Sequence, residues 1–258
     1  MLQRFKKVMK ENLIKIFNKF NFYHKNQIPK KDYNNFIHGI LISLSLEKKR
    51  KIKIIQIGAN DGVHGDPLYE YIIKFNNRVE LLCIEPQLIA FNSLKKNYEN
   101  VDNIYFSMSY IGDGQKKLFY SLNDNFRKIR GNENKKFDGV SSIEKTNLTN
   151  RLKKSGLKNI DNYINSETVQ TFRLEDLLKK DPIYEKIFCE IDFLQVDAEG
   201  YDDEIIYNSG IEKLNFNYIN YEFKNLTDFK LNKLHDFLKN NNYKILRWNK
   251  SDEIAYRA

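Results

Sequence analysis

Lys53-Ile54-Ile55-Gln56-Ile57-Gly58-Ala59-Asn60-Asp61-Gly62 is the stretch from which the rest of the chain can be read. Ile54, Ile55 and Ile57 form a short β-branched apolar run, the composition of a strand buried on both faces of a parallel sheet. The run stops at Gly-Ala-Asn-Asp-Gly, where two glycines let the backbone bend and a ligand approach. A strand ending in a glycine-bearing loop ahead of a helix is how an open α/β sheet builds a crevice at the carboxyl ends of its strands.

Outward from this stretch the pattern alternates. Strands are expected at 52–57, 80–85, 104–109, 117–121, 167–172, 193–196 and 218–223, and helices at 67–75, 89–98, 174–179, 201–209 and 228–240. Repeated βα units imply a doubly wound, mostly parallel sheet. Two closing strands, 243–247 and 253–256, read as an antiparallel hairpin that finishes the sheet. Residues 122–166 are polar, irregular and rich in Asn and Lys, and a stretch of that length inside a domain is usually functional or disordered.

The chain divides at about residue 50. Residues 1–53 hold 14 of the 43 Lys and Arg but 3 of the 34 Asp and Glu, a charge of +11, whereas the remainder carries −2. Residues 1–50 therefore form a basic N-terminal helical extension, and 51–258 a single domain. Leu2, Phe5, Val8, Met9, Leu13, Ile16, Phe17 and Phe20 recur at helical spacing over 2–22 with Lys opposite, and a second helix is expected at 32–46. The first helix suits an anionic membrane surface or a partner; a helical cover on the domain is the plainer reading. A nucleic-acid partner is not expected, because the basic charge lies away from the site. No apolar run is long enough to span a bilayer. Cys83 and Cys189 sit in apolar runs and read as buried free thiols, which fits a reducing, cytoplasmic compartment.

The loop departs from a dinucleotide fingerprint. The second and third glycine positions are Asn60 and Val63, and Asp61 would repel a pyrophosphate. An acid there tolerates a ligand with an ammonium and a sulfonium, such as S-adenosylmethionine. Asp61, Glu85 and Asp197 all fall at expected strand ends, where the crevice lies. Glu85 suits two ribose hydroxyls, each donating to one carboxylate oxygen.

Gln56–Gly62, Leu174-Glu175-Asp176-Leu177-Leu178, Val196-Asp197-Ala198-Glu199-Gly200 and Tyr221-Glu222-Phe223 resemble, in order over residues 52–225, the FkbM-type methyltransferases. Gly139-Val140-Ser141-Ser142 is similar to that family's small, hydroxyl-rich segment. The resemblance implies a class I, Rossmann-like, S-adenosylmethionine-dependent fold that methylates hydroxyl groups, often of sugars. It implies that Gly58, Asn60, Asp61 and Gly62 face the methionine end of the cofactor, Glu85 and Pro86 the ribose, and Ser109 the adenine. Asp197 and Glu199 would line the reaction site and Glu222 reach in from the fifth strand. Many related strands carry an acid where this chain has Gln56, which leaves that cofactor contact open.

A sugar hydroxyl is a weak nucleophile, so a base should take its proton. The candidates are Asp197, Glu199, Glu222 and His64, with Asp197 favoured as site-lining and the base left open. No transition-metal spacing is present; Mg2+ at Asp197 and Glu199 is left open without support. Residues 122–166, with Arg127, Lys128, Arg130, Lys135 and Lys136, suit a substrate lid that meets a phosphate or a uronic acid. The leading reading is an O-methyltransferase acting on a sugar or glycan precursor. The alternatives are a nicotinamide-dependent dehydrogenase and a non-catalytic binding module.

Overall fold

The computed structural model describes residues 33–130, 141–154 and 156–257. The amphipathic helix expected over 2–22 lies outside them. Helix α1 (Tyr33–Glu47) leads into β1 (Ile52–Ile57), α2 (Tyr69–Phe75), β2 (Val79–Ile84), α3 (Leu88–Asn97) and β3 (Ile104–Ser107). Further on come α6 (Leu174–Lys180), α7 (Pro182–Ile187), β8 (Phe193–Val196), α8 (Asp202–Tyr207) and α9 (Ile211–Leu214). The chain closes with β9 (Tyr218–Glu222), α10 (Asp228–Asn240), β10 (Tyr243–Arg247) and β11 (Asp252–Arg257). Between β3 and α6 run β4 (Tyr110–Ile111), β5 (Lys116–Leu122), α4 (Asp124–Arg130), β6 (Ser141–Ser142), α5 (Lys145–Lys154) and β7 (Ile164–Phe172).

The main sheet has the order β10-β11-β9-β8-β1-β2-β3 and is parallel except at β11. The closing hairpin does not simply extend the sheet: its second strand, β11, inserts between β9 and β10. This doubly wound sheet is the class I methyltransferase fold expected from the sequence. Side chains alternate across β1, so Ile52 and Ile54 enter one core layer and Ile55 and Ile57 the other. Burial on both faces is why the strand reads as an isoleucine run, interrupted at Lys53 and Gln56.

Helix α1 lies ahead of the expected domain boundary, yet Phe36, Ile37, Ile40, Leu41 and Leu44 are buried beside Ile52 and Ile54. Phe36 stacks on Trp248 with ring centroids 5.1 Å apart. Each such side chain contributes roughly 1.5–3 kcal/mol on burial, so α1 is part of the domain's core. Cys83 is buried as expected; Cys189 is exposed, because it follows α7 rather than lying in a strand.

The segment 122–166 is not irregular where it is described. β5 pairs antiparallel with β7 in a second sheet of order β4-β7-β5-β6. Phe126 of α4 and Leu148 and Leu152 of α5 close on Leu122 in a small separate core. A few apolar positions among many Asn and Lys suffice, which composition conceals. Of the expected lid cations, Lys128 is exposed; the side chains of Arg127 and Arg130, and Lys135 and Lys136, lie outside the described residues. Among the described residues no helix is long and apolar enough to cross a membrane.

Candidate active site

The carboxyl ends of β1, β2 and β8 are locked together by main-chain bonds. Gly58 N–H donates to Ile84 O (2.9 Å), Asp197 N–H to Ile57 O (3.0 Å) and Glu85 N–H to Ser107 O (3.1 Å). Gly58 has φ 76°, and a Cβ there would lie 1.9 Å from the Asp197 carbonyl oxygen. This glycine admits the Asp197 main chain. At Gly62, φ 73°, a Cβ would come within 2.6 Å of the Leu94 and Tyr98 side chains. That glycine serves the packing of α3 against the loop.

A cleft lies over these ends, the place where open α/β sheets hold their ligands. Of the residues singled out in the sequence, Gly58, Asn60, Glu85, Pro86, Ser109, Asp197 and Glu199 line it. Gln56, Asp61, Gly62 and His64 do not. Gln56 is buried in β1, and its Nε2 donates to Asp66 Oδ2 (3.0 Å). Asp61 turns back on its own loop and accepts from the amides of Val63 (3.0 Å) and His64 (2.9 Å) and pairs with the His64 ring. Burial opposes its charge, but these partners outweigh burial and hold the carboxyl below its ordinary range. His64, 65% exposed, stands at the surface outside the cleft. Positive φ at Gly58, Asn60 and Gly62 curls the loop, so that Asn60 reaches the cleft while Asp61 closes a turn.

Glu85 is 3% exposed. Its Oε2 accepts from Asn60 N–H (2.9 Å) and its Oε1 from Gln87 N–H (2.8 Å). Burial pushes its carboxyl up to about 7 against the pull of these two amides. Each oxygen retains a lone pair. The side-chain oxygen of Asn60 is buried with no hydrogen-bond partner among the described residues.

The loop after β8 is held by residues the sequence reading passed over. Asp202, fully buried, accepts through Oδ2 from Ala198 N–H (3.2 Å) and Gly200 N–H (3.3 Å), and through Oδ1 from Glu222 N–H (3.1 Å). One carboxylate thus ties the β8 loop to the end of β9. Glu199 takes φ 50°, uncommon for a residue with a side chain. Its carbonyl accepts from Ser142 Oγ (3.2 Å) and Asn147 Nδ2 (3.1 Å). At Gly200, φ 95°, a Cβ would lie 2.0 Å from Asn147 Nδ2. Asn225 Nδ2 bridges the Glu199 and Glu222 carboxylates. Asp202 carried a faint signal as an acid at a helix start; Asn147 and Asn225 carried none.

A second, larger cleft adjoins the first and shares Ser141, Ser142, Asp197 and Glu199 with it. Glu222 lines this second cleft, as does a polar face of α5. Asp197 is solvent-accessible at the end of β8 and lines both spaces. Its carboxyl is raised well above the ordinary range, first by the protein crowded around it and then by Glu222, Asp202, Glu199 and Asp252. Among the described residues no side chain donates to it, and no group of three His, Cys, Asp or Glu is placed to hold a metal ion.

The methyltransferase FkbM domain family matches residues 56–245. The chain belongs to this family. The FkbM domain implies S-adenosylmethionine as methyl donor, and the first cleft fits it: Glu85 keeps acceptor capacity for ribose hydroxyls, the Asn60 oxygen awaits a donor, and the surrounding carboxylates suit a sulfonium. No curated protein matches the chain. Similar solved structures include the METTL16 methyltransferase domain, 14% identical with TM-score 0.45, covering 89% of this chain and 69% of that one. A precorrin-6y C5,15-methyltransferase from Geobacter metallireducens GS-15 is 11% identical with TM-score 0.39, covering 90% and 92%. A Methanococcus jannaschii fibrillarin pre-rRNA processing protein is 12% identical with TM-score 0.41, covering 81% and 67%.

Proposed function

We propose that this FkbM domain methylates a hydroxyl of a sugar or glycan precursor and that Asp197 takes the proton released. The observation that carries the reading is the position of Asp197, open to both clefts with no described donor on its carboxylate. The methyl donor, bound in the first cleft, supplies an electrophilic methyl group on sulfonium. The acceptor enters from the second cleft, whose Thr146, Asn147, Asn150 and Asn225 offer hydrogen bonds to a hydroxyl-rich molecule. Asn225 holds Glu199 and Glu222 to one side, so Asp197 is the carboxylate left to face the acceptor oxygen. Its raised pKa makes it a stronger proton acceptor once ionised. Positioning of the hydroxyl against the methyl group supplies much of the remaining acceleration.

The test is methyl transfer to sugar acceptors, read as a gain of one methylene in intact mass. Asp197→Asn should lower the rate at least ~100-fold while S-adenosylhomocysteine still binds. A variant with full activity would remove Asp197 from this role. Calorimetry showing NADH binding and no S-adenosylhomocysteine binding would favour the dehydrogenase alternative; binding of neither would favour the non-catalytic module.

A further inference from the structure

The second cleft is lined by both carboxylates and lysines. Asp197, Glu199 and Glu222 crowd its floor, where an anionic group would be repelled. Three lysines also line it: Lys154, Lys224 and Lys230. Lys230 is committed, paired with Glu144 and lying 3.7 Å from the buried Asp203 carboxylate. Lys154 and Lys224 are exposed, and no carboxylate of the described residues lies within ion-pair distance of either.

These two come from different elements. Lys154 ends α5, whose sequence Lys-Thr-Asn-Leu-Thr-Asn-Arg-Leu-Lys-Lys contains no acid. Leu148 and Leu152 turn to the small core, while Asn147, Asn150 and Lys154, spaced three and four apart, share a face and line the cleft. Lys224 follows β9, two residues beyond Glu222. The same lining includes the amides and hydroxyls of Thr146, Asn147, Asn150, Asn225 and Thr227. That set of groups is complementary to a polyhydroxylated molecule that carries an anion.

We infer that the acceptor is an acidic sugar, with its carboxylate or phosphate held by Lys154 and Lys224 while the hydroxyl to be methylated points at Asp197. The inference rests on the methyltransferase reading above and adds the charge of the acceptor. Charge-assisted hydrogen bonds to a carboxylate or phosphate are among the stronger polar contacts, and two cations act together. The anionic group is kept from the floor by the three carboxylates, so charge also fixes which end of the acceptor reaches the methyl group.

The test is calorimetric titration of the full chain, saturated with S-adenosylhomocysteine, with glucuronic acid, glucose 6-phosphate and glucose. At least one of the two acidic sugars should bind tenfold or more tighter than glucose. The comparison between them separates carboxylate from phosphate. Lys154→Gln and Lys224→Gln should each erase most of that preference and leave S-adenosylhomocysteine affinity within twofold. Glucose bound as well as both acidic sugars, or a preference that survives the double variant, would overturn the inference. So would a single-stranded RNA oligonucleotide bound tighter than either acidic sugar. Retained S-adenosylhomocysteine binding beside any of these outcomes leaves the methyltransferase reading standing; its loss in the wild-type protein removes both.

Discussion

The loops after the neighbouring strands β1 and β8 meet at the site, and both contain residues at positive φ, but they are held in opposite ways. The β1 loop is shaped by crowding. Gly58 lies where the Asp197 main chain passes, Gly62 where Leu94 and Tyr98 pack, and Asp61 satisfies its own turn. The β8 loop is shaped by polar clamps: Asp202, from the helix that follows it, beneath it, and Ser142 and Asn147, more than fifty residues earlier, on the Glu199 carbonyl. A glycine-rich motif here marks where backbone and side chains must come close. The groups that face the ligand depend more on neighbours the motif does not contain.

Three glycine variants would break this comparison most severely. Gly58, Gly62 and Gly65 all have φ between 73° and 77°, so an alanine at each meets the same conformational cost of about 1–2 kcal/mol. Their surroundings differ. Gly58→Ala meets main chain at 1.9 Å, Gly62→Ala meets side chains at 2.6 Å, and Gly65→Ala meets nothing within 4 Å. Urea denaturation should rank the losses at about 4 kcal/mol or more, about 2–3, and about 1–2 kcal/mol respectively. Gly58→Ala should also abolish S-adenosylhomocysteine binding, by displacing Asp197, whereas Gly62→Ala should retain it. Equal losses at the three positions would show that conformation, not crowding, explains the motif.

The clamp on the β8 loop gives a smaller effect. Asp202→Ala strands three amide donors, each worth about 1–3 kcal/mol when left buried and unpaired. Burial, and after it repulsion from Glu222, already raises the Asp202 carboxyl well above its ordinary range, so removing the group returns part of that loss. A net cost of roughly 3 kcal/mol is expected, with Asp202→Asn about half as costly because its side-chain oxygen still accepts. If Asp202→Ala matches the wild type in urea, the loop is not held from beneath in this way.

How much of this was legible in the sequence follows the same division. The limits of α10 and β10 read true because their apolar periodicity is local and their ends are marked, as by the Thr227 cap on Lys230 N–H. The crevice and the gathering of Glu85 and Asp197 followed from strand-end logic. Asn147 escaped notice because its role is set by a contact 52 residues away in the chain. His64 looked chemically apt beside the loop, but Asp61 turns it to the surface. The strands at 117–121 and 167–172 were legible, but the small core beside their sheet escaped because Leu122, Phe126, Leu148 and Leu152 are few and widely spaced in a polar run.

A pH-dependent prediction concerns Glu85, at the end of β2, to which Asn60 of the β1 loop donates. Its carboxyl rises from the ordinary 4.5 to about 7. Across that window the folded chain keeps a proton that the unfolded chain has released, so stability is full below about pH 4.5 and falls as the pH rises toward 7. One proton over that interval corresponds to roughly 3 kcal/mol. Asp66, half-buried and raised to about 6 by desolvation, adds to the same slope up to its own value. Glu85→Gln removes the Glu85 share alone, so its urea midpoint should fall less steeply between pH 5 and 7 than the wild type's, whatever its absolute stability. Ionised Glu85 is also the form with the most acceptor capacity for ribose hydroxyls. S-adenosylhomocysteine should therefore flatten the wild-type slope by binding better as the carboxyl ionises, and leave the Glu85→Gln slope little changed. Parallel slopes for the two proteins, with and without that ligand, would mean that Glu85 titrates as an ordinary carboxylate and that the two amides and the burial around it balance.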